Sequence, residues 1–562
     1  MKLDVFILFF FYLVSILSTL GYGLYFQKII KIPYNKTCLG HSGLIGVFFL
    51  TIYSYFSNFF YAHGIYHNLI ILFIGLFLFY FSYIKKLFSK TEIKFLVILF
   101  SILFVSFLIS KTHDDFPYYH FPYTYYLTQN SSLIGIGSFN HGFRTPSSLF
   151  YFNSLFYLPI IKYYLFHIGS AIIFGSAIFI FFSNIKQSIK KKNINYIYYF
   201  DLFSLIFILV FFYRLAEHGT DRSAQILIFL ILTEIFKILV LKKITIYEIS
   251  ILSVLFSITI SLKAFYFLYG ILIFPTLFII FKNNNYKEFL QKIFFNKAFY
   301  FSVLLIILVL VTNFFNTGCL IYPISTSCFT SFDWSIPLKE IEKMALHYEN
   351  WSKAGKTPNF SVEDPISYVK DLNWIDGWFN RYFLYKVSDF LLSLIVLMLV
   401  FRFTFYSNVK KKIFYKKEIL LIYLTLIILV VEWFINHPTL RYGGFSLIAA
   451  LFFIPSSLVI ETYGQKLKQI KKRTFIIILI GVTVFTLRNV DRIIQENKKY
   501  NYNVFINPYF NVDNARFFRI ETKINYLINN YIDCQNYSKE CKNKNEYVVT
   551  EKLSKYIFTR NK

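Results

Sequence analysis

A long succession of apolar segments, each close to the length of a bilayer-spanning helix, constrains this chain more than any other feature. They lie near residues 4–24, 43–61, 69–84, 95–110, 163–183, 199–213, 224–240, 249–262, 265–281, 298–315, 388–406, 419–435, 445–460 and 474–488. A hydrocarbon core of roughly 30 Å takes about 20 helical residues, so the pattern predicts about fourteen spans, the shortest of them tilted, merged or re-entrant. No soluble core absorbs so much apolar surface. Hydrophobic residues make up 56% of the 562 and charged residues 16%, against about a quarter charged in a typical soluble domain. The expected fold class is therefore all-α, a polytopic transmembrane helix bundle surrounded by a lipid bilayer. The N-terminal run to about Phe26 lacks a small-residue cleavage site and is too long for a signal-peptide core, so it reads as a retained span. Phe (72) and Tyr (46) are so abundant throughout that an aromatic stripe carries no information about base stacking or cofactors here.

The net charge of +28 would suggest nucleic acid in a soluble protein, but in a multi-spanning chain it reports orientation, and no nucleic-acid partner is expected. Lys and Arg gather in alternate loops: Lys85, Lys86, Lys90 and Lys94; Lys186 and Lys190 to Lys192; Lys410 to Lys412, Lys416 and Lys417; Lys466, Lys468 and Lys471 to Arg473. The positive-inside rule makes these cytoplasmic. The opposite set is then external: 62–68, 111–162, 214–223, a turn near 263, 316–387, 436–444 and the tail from 489. The expected location is the cytoplasmic (inner) membrane, with the motif-bearing loops on the periplasmic or external side. The organisation predicted is N-terminal spans over 1–110, a membrane core over 111–315 containing the acidic external loop 111–162, an external cap loop 316–387, C-terminal spans over 388–488 and an external tail 489–562.

Cysteine usage agrees with that sidedness. Cys319 and Cys328 share one external loop, Cys534 and Cys541 share the external tail, and Cys38 is alone on the cytoplasmic side. Two close pairs in an oxidising compartment predict two disulfides, since each pair lacks the second Cys/His pair that a structural zinc site requires.

Chemistry concentrates in residues 111–148. Asp114 and Asp115 follow a span directly, flanked by His113 and His120 and followed by Asn140, His141 and Arg144. Carboxylates at a span mouth can act as general base or, with His113, hold a divalent cation such as Mg or Mn, and Arg144 can clamp a phosphate. The competing reading is a helix cap with solvated histidines. The segment from Arg214 to Arg222 holds Glu217, His218 and Asp221, the acids spaced to share a helical face, although Asp221 can equally cap the next span. Lys263 stands alone at an external span end, where it either snorkels or pairs with an anion. Arg441 follows Glu432 at another external mouth and suits a lipid phosphate. Loop 316–387 carries four of the five tryptophans, among them Trp374 and Trp378, which read as interfacial anchors. Gly135, Gly137 and Gly142 miss the dinucleotide-binding spacing, and no phosphate-binding loop, zinc-protease or serine-hydrolase motif occurs. An external enzyme cannot use cytoplasmic nucleotides, so an activated substrate has to be carried in the membrane.

At these residues the chain resembles the GT-C class of polytopic membrane glycosyltransferases, in a bacterial branch. The resemblance rests on His113-Asp114-Asp115 with Tyr118 and Tyr119, Asn140-His141-Gly142-Phe143-Arg144 with Ser147 and Ser148, Gly219-Thr220-Asp221, Cys319 to Pro323 with Asp333-Trp334, and Arg441-Tyr442 after Pro438. The chain departs from the class in placing about four spans before the acidic loop. The resemblance implies inverting transfer of a sugar from a polyprenyl-phosphate-linked donor to a cell-envelope glycan or lipid acceptor. It casts Asp114 or Asp115 as base and Arg144, Arg222, Lys263 and Arg441 as phosphate ligands, with a divalent metal optional. Two alternatives stand beside it: a surface-polysaccharide polymerase or ligase, and a lipid-linked glycan flippase or transporter, which would place ionisable residues mid-span.

Overall fold

A computed structural model describes residues 4–241, 244–283, 286–409, 417–537 and 547–560. Lys410 to Lys412, Lys416 and Cys541 fall outside the described residues. The first helices are α1 (Asp4–Ile29), α2 (Leu39–Asn58), α3 (Ile65–Ile84) and α4 (Lys90–Phe107), followed by the short α5 (Phe121–Gln129) and α6 (Ser148–Ser154). The core continues with α7 (Ile168–Lys190), α8 (Tyr196–Phe211), α9 (Asp221–Leu241), α10 (Ile246–Leu262), α11 (Ile273–Asn283), α12 (Tyr286–Phe294) and α13 (Lys297–Thr317). Next come α14 (Leu338–Ser352), the hairpin β1 (Lys356–Thr357) and β2 (Phe360–Ser361), α15 (Pro365–Val369) and α16 (Ile375–Trp378). The chain ends with α17 (Ser388–Phe405), α18 (Lys417–Asn436), α19 (Gly444–Glu461), α20 (Leu467–Tyr500), α21 (Asn514–Phe517), α22 (Arg519–Tyr537) and the hairpin β3 (Tyr547–Lys552) and β4 (Lys555–Arg560).

Ten helices among the described residues are long and apolar enough to cross a membrane, fewer than the sequence pattern suggested. Three further apolar helices, Tyr196–Phe211, Ile246–Leu262 and Ala264–Pro275, are shorter, and α4 opens on Lys90, Glu92 and Lys94. The most apolar stretch of α9 is 89% buried inside the bundle, whereas that of α3 is 22% buried. Phe73 and Phe77 on α3 and Phe403 on α17 are largely exposed, which in water would be an adhesive surface and in lipid is an ordinary one. The helices α1, α2 and α3 approach closely through small residues. A Cβ on Gly23 would lie 1.8 Å from the Ser42 carbonyl oxygen, and one on Gly21 would lie 1.9 Å from that of Gly75.

After α4 the polypeptide breaks into short pieces, because Pro117 and Pro122 interrupt regular hydrogen bonding and leave a wide turn at Phe116–His120 before α5. This acidic loop is closed over by two other segments. In the cap, Cys319 and Cys328 form the expected disulfide, and Trp374 and Trp378 are buried rather than interfacial. They pack against each other and against Phe434 of α18. The tail packs on the acidic loop. The Phe558 N–H donates to the Ile134 carbonyl oxygen at 2.9 Å, Phe139 stacks on Tyr547, and Phe510 and Phe517 meet Phe116. The close approach explains Gly135, whose φ is +83° and whose Cβ would lie 2.2 Å from the Phe558 carbonyl oxygen. Cys534 is disulfide-bonded and Cys38 is a free, buried thiol.

Two outcomes test this arrangement. A single cysteine at Ile160, which is 71% exposed, in a Cys38→Ser background should react with a membrane-impermeant maleimide in intact spheroplasts if the orientation expected from the basic loops holds; reaction only after lysis would reverse that expectation. Removing the Cys319–Cys328 bridge, which closes a separation of 9 residues, should cost about 2–3 kcal/mol of stability, seen as a lower melting temperature in detergent.

Candidate functional site

Arg441 sits in the turn between α18 and α19, which is held from several directions. The indole N–H of Trp433 donates to the Thr439 carbonyl oxygen at 2.9 Å, that of Trp378 to Pro438 at 2.7 Å, and the Leu440 N–H donates to the Tyr382 hydroxyl at 2.9 Å. Gln225 of α9 donates to the carbonyl oxygen of Arg441 itself at 3.0 Å. The turn closes at Gly443, where φ is +98° and a Cβ would lie 1.9 Å from the Tyr269 hydroxyl, so no other residue fits without displacing the loop.

Held there, the guanidinium bridges two carboxylates. Its Nε donates to Asp221 Oδ2 at 3.2 Å and its Nη2 to Asp115 Oδ2 at 3.1 Å. Asp221, the first residue of α9, also pairs with Lys263 at the end of α10. Lys263 lies 4.4 Å above the Tyr442 ring, and His113 Nδ1 is 3.6 Å from Asp115 Oδ2. Four segments far apart in the sequence, around 115, 221, 263 and 441, thus meet at one end of the bundle. Burial would raise the Asp115 carboxyl, but Arg441, with His120 and His113, outweighs it and holds the group below the usual carboxylate range. Burial likewise opposes the charge on Arg441, and Tyr442, Asp221 and Asp115 overcome it. Burial pushes His120 down to about 4, so it is a neutral imidazole at pH 7, and its Nε2 has no hydrogen-bond partner among the described residues. Tyr119 flanks the same cluster, and the negative charge of Asp115 and Asp221 adds to burial in keeping its hydroxyl protonated.

The remaining residues predicted from the sequence lie elsewhere. Asp114 turns outward, with its side chain 77% exposed and 3.7 Å from Lys111, so the two adjacent acids do not share one task. Asp114, Asp115 and His113 therefore form no ligand shell, and among the described residues no group of three or more His, Cys, Asp or Glu could hold a metal ion. Arg144 is not an open phosphate clamp: its side chain is 6% exposed, pairs with Glu340, and donates to the Tyr322 hydroxyl at 2.5 Å and the Gly137 carbonyl oxygen at 3.1 Å. It ties the acidic loop to the cap. Arg222 turns to Glu217 at 2.5 Å, and Arg214 does so at 2.9 Å, so Glu217 and Asp221 diverge instead of sharing a face. Asn140 caps the turn at His141–Phe143 and holds the Tyr118 carbonyl oxygen at 3.0 Å. His141 lies beside the Tyr118 ring, and burial lowers it to about 4. Of the two readings open for Lys263, snorkelling or pairing with an anion, the structure shows the pairing, with Asp221.

Sequence reasoning missed a second polar cluster. Well along α9 from Asp221, Thr233 donates to Asp201 Oδ1 at 2.7 Å, and Lys237 donates to Glu234 at 2.8 Å and Asn184 at 3.1 Å. At 1.5 Å per residue this lies about 20 Å from the Arg441 cluster. The available signal was the charges themselves, Asp201, Glu234 and Lys237, inside apolar runs.

The chain belongs to the family described as a domain of unknown function (DUF8201), whose model matches residues 5–449. All four members of the ionic cluster fall within that match, and most of α19, all of α20 and the tail lie beyond it. Neither curated proteins nor solved structures yield a match.

The buried histidine generates a pH prediction. In the unfolded chain His120 takes up a proton near pH 6.5, whereas in the fold it resists doing so until about 4. Its contribution is therefore whole above about pH 6.5 and is lost progressively as pH falls toward 4, while that of Asp115 is lost only below the ordinary carboxylate range. The melting temperature should fall between pH 7.5 and 5, and His120→Gln should flatten that slope; an unchanged slope would show that the imidazole is not shielded.

Proposed function

We propose that this protein transfers a sugar from a polyprenyl-phosphate-linked donor to a cell-envelope acceptor at the outer face of the cytoplasmic membrane. The observation that carries the reading is the convergence of Asp115, Asp221, Lys263 and Arg441, with neutral His120 alongside, at one end of an apolar helix bundle. The chemistry required is an in-line displacement. The acceptor hydroxyl oxygen bonds to the anomeric carbon, its proton passes to a carboxylate, and the carbon–oxygen bond to phosphate breaks with the electron pair leaving on the phosphate. Asp115 is ionised at neutral pH, and both of its ionic contacts fall on Oδ2, which makes it the favoured base over Asp114. Arg441 and Lys263 keep further N–H donors beyond those given to the acids, and these can take up charge developing on the departing phosphate. Asp221 positions both cations. The reading runs without a metal.

A transporter of lipid-linked glycan is the second reading. It is favoured by the Asp201, Glu234 and Lys237 cluster, since ionisable residues inside a bundle are costly and commonly mark a transport path. A polymerase or ligase would use the same cations on a glycan-length acceptor.

Asp115→Asn should insert and purify normally but lower transfer from a polyprenyl-phosphate sugar by at least about 10²-fold, while Asp114→Asn should change it little. Lys263→Gln and Arg441→Gln should lower kcat along with kcat/KM, because they act on charge that appears in the transition state. Full transfer by Asp115→Asn, or wild-type protein that moves an intact lipid-linked sugar across vesicles without transferring it, would replace the enzyme reading with the transporter.

A further inference from the structure

A second cationic site lies apart from the Arg441 cluster and shares no residue with it. It is a cavity of about 370 Å³ where α20 passes the ends of α4 and α8. Five of its lining residues are cations, Lys111, Arg214, Arg488, Arg492 and Lys499. Three of them have a carboxylate partner: Glu496 accepts from Arg492 at 3.0 Å and from the Ser110 N–H at 2.8 Å, Glu217 accepts from Arg214 at 2.9 Å, and Asp114 lies 3.7 Å from Lys111, while the remaining lining acid, Asp491, accepts from Gln495 at 2.7 Å. Arg488 and Lys499 make no ion pair among the described residues, so their charge is left to a ligand.

Two of the cations are fixed in place. Arg492 donates to the carbonyl oxygens of Val105 and Leu108, which α4 leaves unpaired at its end, and Arg488 donates to that of Val210 at the end of α8 while lying 3.8 Å over the Tyr213 ring. Two N–H groups remain over. The Nε atoms of Arg492 and Arg214 are buried and have no hydrogen-bond partner among the described residues, and the Arg492 side chain is more than nine-tenths buried. A buried guanidinium N–H without an acceptor is costly, and it leaves these two side chains beside the cavity with donor capacity that the protein does not use.

The level in the bundle indicates where such an anion comes from. Helices α4 and α8 stop here, while α20, at 34 residues, runs past the roughly 20 that a bilayer requires. On the same stretch Leu487, Val490 and Ile494 are exposed apolar side chains interleaved with Arg488 and Lys499. Lipid-facing carbon beside a cationic recess is the arrangement that suits a phosphate headgroup with its acyl chains against the helix.

We infer that this cavity binds a phosphate-bearing anion, held by Arg214, Arg488, Arg492 and Lys499, with the headgroup of an anionic membrane lipid as its expected source. Binding there would tie α20 and the tail that follows it to α4 and the acidic loop. The inference does not depend on glycosyl transfer.

The test uses delipidated full-length protein in detergent, titrated with dioleoylphosphatidylglycerol, dioleoylphosphatidylcholine or inorganic phosphate and followed by native mass spectrometry and thermal shift. Arg488→Gln with Lys499→Gln is the test variant, Lys499→Gln alone is the milder one, and Lys498→Gln, exposed on the same helix but outside the lining, is the charge control. Wild type and Lys498→Gln should retain one phosphatidylglycerol, bound at least about tenfold more tightly than by the double variant, with Lys499→Gln intermediate and phosphatidylcholine binding weak throughout. Stabilisation by inorganic phosphate alone, lost in the double variant, would keep the site and assign it to a soluble phosphate compound. Equal binding by wild type and both cavity variants, equal weakening by Lys498→Gln, or no response to either anion would overturn the inference.

Discussion

The candidate site depends on one guanidinium set between two carboxylates. Arg441 reaches Asp221 through Nε and Asp115 through Nη2, so a single side chain from the C-terminal half joins the acidic loop to the core helix α9. Each charge alone would be costly near a low-dielectric boundary, and together with Lys263 they come to balance. That balance explains why the surrounding chain is so constrained. The Arg441 turn is gripped by two indoles, a tyrosine hydroxyl and Gln225, and it closes through a glycine that admits no side chain.

Much of the fold could be read from hydropathy, because a helix in lipid must be both long and apolar and each property is local. The segment near 224–240 appears as α9 and that near 298–315 as α13. The short segments near 199–213 and 249–262 were harder to classify. They form helices of 16 and 17 residues, below the usual spanning length, and neighbours in the bundle bury most of their surface. The Cys319–Cys328 bridge could also be read, since the pair is close in sequence and shares one loop.

The site was legible in residue type but not in pairing. Asp115, Asp221, Lys263 and Arg441 stood out as charges at span mouths, yet pairing between residues hundreds of positions apart depends on how helices cross. Adjacent residues at a turn point in different directions, so Asp114 and Asp115 part company although they look equivalent in sequence. Arg144 was misread for a related reason: its acceptor Glu340 lies in the cap, and nothing local to Arg144 announces it. Trp374 and Trp378 read as interfacial by residue type, whereas the cap folds them inward to shape the turn that carries Arg441.

The central claim is that Arg441 and Asp115 act as a pair across the bundle, and a double-mutant cycle on stability measures it most directly. Arg441→Gln, Asp115→Asn and the double variant would be unfolded thermally in one detergent at pH 7. Since the Arg441 side chain is 36% exposed and solvent screens the pair, the expected coupling is about 1 kcal/mol, with the double variant less damaged than the sum of the single ones. Additive effects within about 0.3 kcal/mol would mean that the two side chains do not meet, and would contradict the account.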